Sequence, residues 1–534
     1  MIKLNIKVDI MYIVAASPPT PNGKLHLGHI GGPYLASDVF TRLNRLIGEE
    51  VIYISGIDGY LNYVVWQGEK LGLSPEEVVI KYSEEINQCL TGLGIRIDSM
   101  HPGNKEKNNF TKQFFTKLIN TDAVVVKEYK TLFCQDCNRD LYDSYITGLC
   151  PNCVEETKGN ICEKCGHPND PIQLINSHCT IDKKHKVVIK SSKRLVLPLE
   201  NYRKQIKDFY LNKKECFLRP RVYKLLNELL SKPLPDFPLT YPSNWGNQVE
   251  DIPDLAGQIY NSWAEILPGF IYESLNSSNK TIEELWHNRN VKFLEFFGFD
   301  NSYFFIMVHL ALLFAMGKDH VKYTALISNE FLLLDNKKFS TSRNHAIWAT
   351  DIIKEYNGDI VRAYLCSISP DNHQSNFSID NLKNFASYIR ENLNKILLDI
   401  DQIFASNNYS YDLNDSTVKE ELKDKLSRLK VYSSPDNFSL REMAAYMQIY
   451  INWATIKVTK LIDMQKEPRL HKIITADAFY ILYGLAIIIS PIMPTLANNL
   501  STIILKMPLR FKLNLESSQG EIDGSLKEFI SKFL

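Results

Sequence analysis

The sequence predicts an α/β protein: a parallel sheet interrupted by a cysteine-rich insertion and followed by an α-helical C-terminal region. Residues 12–16 and 50–55 are apolar runs with strand character, separated by the Pro/Gly-rich loop SPPTPNGKLHLGH and a helical pattern over residues 32–46. Strand, loop, helix, strand is a βαβ unit, and such units build parallel sheets. Residues 131–190 hold seven of the ten cysteines and differ in character from their flanks. From residue 378 onward the pattern is long amphipathic helices with short polar breaks, such as SNNYSYDLNDST.

At 534 residues the chain is too long for one core, and length alone suggests about three or four domains. A hydrophobic fraction of 45% and a charged fraction of 23% exclude a disordered, collagenous or purely membrane protein. Lys+Arg and Asp+Glu are both 61. Any nucleic-acid contact must therefore come from a local basic patch rather than an overall excess. The opening MIKLNIKVDIMYIVAAS alternates apolar residues with charges and reads as a strand, not a secretory signal, with Met11 as an alternative start. Residues 478–497 are apolar enough to span a bilayer, but Pro491 and Pro494 lie within them and no second span accompanies them. A buried helix ending at the SPIMP turn is expected, with no membrane association and a cytoplasmic location.

Six cysteines form three CxxC pairs, Cys134/Cys137, Cys150/Cys153 and Cys162/Cys165, spaced CxxC-x12-CxxC-x8-CxxC, and Cys179 follows. Clustered pairs without a secretory signal point to thiolate-bound zinc rather than disulfides. Cys89, Cys216 and Cys366 are isolated and read as small core residues.

Two short motifs carry phosphate chemistry. His26-Leu27-Gly28-His29 stands at the loop-to-helix junction after the first strand. A helix N-terminus offers free N–H groups and a field favourable to phosphate. Two imidazoles three apart share one side of a first turn, and Gly28 permits close approach of a nucleotide. The second motif, Lys338-Phe339-Ser340-Thr341-Ser342, reads as a polar loop after the apolar run 331–334. A lysine with neighbouring hydroxyls can bind a leaving pyrophosphate.

The pair of motifs resembles the class I aminoacyl-tRNA synthetases, HLGH standing as HIGH and KFSTS as KMSKS. PNGKLHLGH, the CxxC insertion, Trp263-Ala264-Glu265 through Gly269, Gly298-Phe299-Asp300, Asp359 to Tyr364 and SPIMP extend the resemblance to the methionyl-tRNA synthetase group over nearly the whole chain. The resemblance implies a Rossmann-type catalytic domain in two halves, residues 1–120 and 236–377. A zinc-binding connective insertion would occupy 121–235 and a helical anticodon-binding-like domain 378–534. It implies a ligase using ATP with Mg²⁺. His26 and His29 would stabilise the α-phosphate transition state, and Lys338 would contact the phosphates with Ser340 and Ser342. Gly28, Gly298 and Asp300 would lie along the nucleotide. Asp58 would hold the substrate α-ammonium, with Trp263, Thr20, Asn301 and Phe305 around the amino-acid side chain. In the family the second and third CxxC pairs share one zinc, here Cys150, Cys153, Cys162 and Cys165. A second zinc would use Cys134, Cys137, Cys179 and either Asp182 or His178, or that site has collapsed.

The chain also departs from the family pattern. The second KMSKS lysine is Thr341 and the arginine of the family's TRD element is Tyr241. The pocket tyrosines are Thr20 and Phe270, the pocket Ala-Pro is Ile266-Leu267, the pocket histidine is Phe305, and an aliphatic position is Asn301. The anticodon-reading Asn/Arg pair is missing from the helix around residues 396–401, and the Pro-Trp element reads Pro468-Arg469. Three functions stay open: a diverged paralogue with another amino acid or acceptor, which is the reading favoured; an ordinary methionine–tRNA ligase; and a non-catalytic binding protein. Amino acid and ATP are the expected partners, and tRNA is a further candidate whose anticodon readers are not found.

Overall fold

The computed structural model describes residues 10–286, 288, 290–317, 323–339, 345–406, 410–412, 415–505 and 519–521. They fall into two compact units, each assembled from three segments. The first contains Met1–Leu25, Ile52–Gln88 and Ile97–Glu330; the second contains His26–Val51, Cys89–Arg96 and Phe331–Leu534.

The first unit is built on a five-stranded sheet of β1 (Met11–Ala16), β2 (Glu50–Ile54), β3 (Phe217–Leu218), β4 (Val291–Gly298) and β5 (Tyr323–Asn329). Its order is β3-β5-β4-β1-β2. The pairings β1–β4, β4–β5 and β3–β5 are parallel, as the βαβ pattern predicts. Every residue of β1 is buried, which is why its sequence is a continuous apolar run: strands of parallel sheets are covered on both faces. The core on this sheet includes Ile13, Phe115, Phe270, Phe293, Phe297 and Leu310.

The insertion is a long antiparallel ribbon carrying two small cysteine-rich lobes. Val125–Cys134 pairs with Val187–Pro198 in register from Cys134↔Val187 to Val125↔Val196. Arg139–Leu141 and Asp236–Pro238 flank the ribbon to make four strands.

In the second unit, the helix expected over 32–46 starts earlier and is broken at its beginning. A single turn Leu27–His29 runs into a wide turn Ile30–Tyr34, and regular helix begins at Leu35–Leu46. Pro33 has no N–H to give the ladder, and Gly32 leaves helical geometry at φ −98°, ψ −127°. The C-terminal part is helical, as expected. In Ile379–Ser406, Leu382, Ala386, Ile389, Leu393, Ile396 and Ile400 are buried, a three-four spacing that marks one apolar face. It packs on Leu440–Met464 and His471–Ile489. Pro468–Ile489 is, among the described residues, one helix long and apolar enough to cross a membrane, and 89% of its apolar window is buried inside the protein. It ends at Ile489, and a further helix starts at Pro494, so the SPIMP turn stands where the sequence placed it.

Two of the resemblance motifs meet here. Arg362, fully buried, donates to the carbonyls of Pro491 and Ile492 at 2.9 and 2.8 Å and pairs with Asp38 at 2.7 Å. Asp359 accepts from the backbone amides of Thr495 and Leu496 at 3.3 and 2.7 Å. A carboxylate at a helix start and a cation at a helix end each complement the helix dipole.

Candidate active site

In the second unit, His26 and His29 form a reciprocal cap. His26 is extended at φ −98°, ψ 167° and precedes the first helical turn. Its Nδ1 accepts from the His29 amide at 3.3 Å, and Nδ1 of His29 accepts from the His26 amide at 3.3 Å. With both Nδ1 atoms acting as acceptors, a neutral ring carries its proton on Nε2. The rings stack with centroids 3.7 Å apart. Burial, then the neighbouring His29, lowers the His26 pKa to about 2, with Lys338 adding to the effect. Burial and Lys338 lower His29 to about 4. Both rings are therefore neutral Nε2–H donors at physiological pH. Gly28 is required by packing: a Cβ there would lie 3.0 Å from the His26 ring and 3.2 Å from Phe339. Phe339 is buried and stacks on His26 at 5.0 Å.

Lys338 stands on a hairpin rather than in the loop expected from sequence. Leu332–Leu334 pairs antiparallel with Lys337–Lys338, and the two turn residues Asp335 and Asn336 both have positive φ, 49° and 60°. Two such residues make the tight turn that matches strand twist. The Lys338 ammonium sits 4.3 Å from the centroid of the Phe331 ring. Ser340, Thr341 and Ser342 lie outside the described residues.

In the first unit, a cavity is lined by Asp58, Tyr60, Lys107, Asn247, Ser262, Glu265, Ile266 and Phe270, among others. Ser262 Oγ donates to Asp58 Oδ1, and Asn247 Nδ2 donates to Glu265 Oε1 at 2.7 Å. Burial raises Asp58 to about 6, against the opposing pull of Ser262 and Lys107. Burial, with some help from Asp58, raises Glu265 to about 8. Lys107 Nζ is held at 2.9 Å by both Glu273 Oε1 and the His101 carbonyl. Burial opposes ionisation of Glu273, but Lys107 and the hydrogen bonds from Ser99 and His101 keep it below the usual carboxylate range.

The cysteines gather into two clusters whose donor atoms lie within 4.8 Å of one another. In the first, Cys150 Sγ is 3.7 Å from Cys165 Sγ, and Cys153 Sγ is 3.6 Å from Cys162 Sγ. Tetrahedral zinc with Zn–S near 2.3 Å sets sulfurs about 3.8 Å apart, so the four thiols fit zinc, whereas a disulfide needs about 2.05 Å. The second cluster is Cys134, Cys137, Cys179 and His185. Cys137 Sγ is 3.8 Å from Cys179 Sγ, and His185 Nδ1 is 3.6 Å from Cys134 Sγ and 3.2 Å from Cys137 Sγ. This corrects the expected fourth donor, which is neither Asp182 nor His178. Asp182 Oδ1 accepts from the Lys184 amide and its carbonyl accepts from the His185 amide, making the turn that brings His185 back. His178 Nδ1 lies 3.0 Å from the Asn176 carbonyl.

A family model for class I tRNA synthetases (M) matches residues 12–399. The chain belongs to this family. It is 32% identical over 394 residues to a methionine–tRNA ligase of Thermococcus onnurineus, covering 70% of this chain and 53% of that one. A methionine–tRNA ligase of Thermoplasma volcanium is 28% identical over 476 residues, covering 85% and 86%. The chain thus spans about half the length of the Thermococcus relative. Its fold is like that of Mycobacterium tuberculosis methionyl-tRNA synthetase in complex with methionyl-adenylate, with a TM-score of 0.75 at 14% identity, covering 97% of this chain and 99% of that one.

Within this member of the class I tRNA synthetase family, the residues assigned to the amino-acid pocket separate. Asp58 lines the cavity; Thr20, Trp263, Asn301 and Phe305 are not among its lining residues. Phe305 is fully buried, stacked on Phe297 at 4.6 Å. Trp263 stacks on Phe304 at 4.1 Å, and its buried Nε1 has no hydrogen-bond partner among the described residues. Asn301 and Thr20 are half-buried. Gly298 ends β4, and Asp300 follows in the short turn Phe299–Asn301. Tyr241, at the position of the missing arginine, is buried, stacked on Tyr142 at 4.5 Å and covered by the Arg194 guanidinium at 4.9 Å. Glu265, Asn247, Ser262 and His185 were missed by sequence reading. For His185 the only signal is a histidine six residues after Cys179; the cavity residues come from separate elements and leave no local pattern.

Proposed function

We propose that the protein is an ATP-dependent ligase that joins an amino acid to AMP as an aminoacyl adenylate and passes the aminoacyl group to an acceptor hydroxyl. The observation that carries this reading is the neutral His26–His29 cap with two Nε2–H donors at a helix start. The substrate carboxylate oxygen attacks the α-phosphorus, the bond to the bridging oxygen breaks, and pyrophosphate leaves. Donors that stay neutral do not have to lose a proton to charge the α-phosphate; they stabilise the negative charge on its oxygens, which is where electrostatic catalysis acts. Lys338 stabilises the departing pyrophosphate. In the second step the acceptor oxygen attacks the acyl carbon and AMP leaves. Membership of the family implies ATP with Mg²⁺, which neutralises phosphate charge when bound.

Zinc in the two insertion clusters completes this reading. Four-donor sites leave no open position, so their role is structural.

We favour a ligase diverged in amino acid or acceptor. The cavity bearing Asp58 is lined by a second buried carboxyl, Glu265, and Tyr241 supplies no charge at the arginine position. A second reading, an ordinary methionine–tRNA ligase, is favoured by the names of the relatives.

ATP–pyrophosphate exchange across all amino acids, with and without tRNA, tests the proposal. His29→Ala should lower exchange by roughly 100- to 1000-fold. Exchange at the parent rate in both His29→Ala and Lys338→Ala would remove the catalytic assignment. Methionine far ahead of every other amino acid, with charging of a CAU-anticodon tRNA, would restore the ordinary ligase.

A further inference from the structure

The cavity in the first unit is lined by more carboxyl groups than a methionine-like side chain can satisfy. Asp58 is 7% exposed and Glu265 is 9% exposed. Among the described residues neither forms an ion pair, and each has one oxygen engaged, Asp58 by Ser262 and Glu265 by Asn247. The second oxygen of each carboxyl has no hydrogen-bond partner among the described residues. Lys107, the cation of the lining, is already bound to Glu273. A third buried carboxyl, Asp143, is raised to about 8 chiefly by burial, with Asp58 adding to the effect, and it accepts from the neutral amide of Asn160. The Lys107 charge acts on both Asp58 and Glu265, but its bonds go to Glu273 and the His101 carbonyl; buried carboxyls without a bonded counter-charge are costly to ionise, and a ligand that brings positive charge relieves that cost.

We propose that this cavity selects an amino acid with a second basic nitrogen in its side chain, one ammonium engaging Asp58 and the other Glu265. This rests on the adenylating-ligase reading and names its substrate class. Ser262 and Asn247 fix the two carboxyls by occupying one oxygen of each, leaving the other for the ligand. Ile266 and Phe270 supply apolar wall for the methylenes between the two nitrogens. A thioether or alkyl side chain offers no donor to Glu265 and leaves it unpaired, which is the kind of mismatch a polar site rejects strongly.

The test uses calorimetric binding without ATP and pyrophosphate exchange with ATP, each with lysine, ornithine and 2,4-diaminobutyrate against methionine and norleucine. At least one diamino acid should bind more tightly than methionine and norleucine. Glu265→Gln should weaken that diamino acid by roughly ten- to a hundredfold, the loss of one charge-assisted bond, and weaken norleucine by much less. Methionine or norleucine binding more tightly than every diamino acid overturns the inference, as does an equal effect of Glu265→Gln on both classes. The ligase reading fails separately, through an absence of exchange with any amino acid while binding persists.

Discussion

Glu265 makes the protein's stability pH-dependent in a direction that can be measured. Burial raises its pKa from 4.5 to about 8, so the folded state holds a proton that the unfolded chain releases. That contribution is complete below pH 4.5 and is lost as pH rises through about 8. Glu265→Gln keeps a neutral group at the position and removes the titration. Its melting temperature, relative to the parent, should therefore become more favourable from pH 5 to pH 9 in calorimetry without ligand; parallel curves would show that Glu265 does not titrate there. This acid was illegible in the sequence, where Trp263-Ala264-Glu265 carries a resemblance but no sign of burial. His26, His29 and Lys338 stand out as candidates in the sequence, because their chemistry is local to two short motifs. What the motifs do not carry is the tautomer, which follows from the two backbone amides that each ring meets across the turn.

At the scale of elements, the hairpin under Lys338 has the clearest sequence logic. Asp335-Asn336 between an apolar strand and two lysines is a two-residue turn signal, although the segment reads as a plain polar loop when only the lysine and hydroxyls are considered. Asn336→Gly should leave stability unchanged or slightly raised, because glycine accepts positive φ freely. Asn336→Val should cost about 1–2 kcal/mol in denaturant unfolding and lower pyrophosphate exchange, since the strand that carries Lys338 loses its turn. Strand β1 and the helical stretch 478–489 were legible for the same reason as each other: full burial leaves an unbroken apolar run. The start of the helix after β1 was not, since Gly32 and Pro33 create a wide turn that periodicity cannot register.

For the whole molecule, metal content gives the sharpest check. Protein purified without added metal should contain two zinc ions, one for each cluster. Cys150→Ser and His185→Ala should each reduce this to one by elemental analysis and lower the melting temperature, because structural zinc contributes folding free energy directly. Zinc retained at two equivalents in His185→Ala would return the fourth position to another donor. The CxxC spacing made the first cluster readable as a unit. The second was only half readable: Cys134 ends one ribbon strand and Cys137 lies in the turn after it, while His185 arrives through a turn just before the partner strand, Val187–Pro198. Its ligands meet because the ribbon pairs in register and the separate strand Ile175–Cys179 pairs with Ile146–Leu149, long-range events with no signature in local spacing.

The buried Arg362 clamp limits how evolution can recombine this chain. A fragment stopping at residue 489 would take the Pro491 and Ile492 carbonyls from Arg362 and both backbone amides from Asp359. Each hydrogen bond to a charged group contributes roughly 1.5–3 kcal/mol, so losing them removes a large share of a domain's total stability. Urea unfolding of that fragment should show the helix Gly358–Ser367 and its neighbours melting well before those of the intact chain. The C-terminal helices are therefore not a module that can be exchanged at the sequence boundary near residue 378.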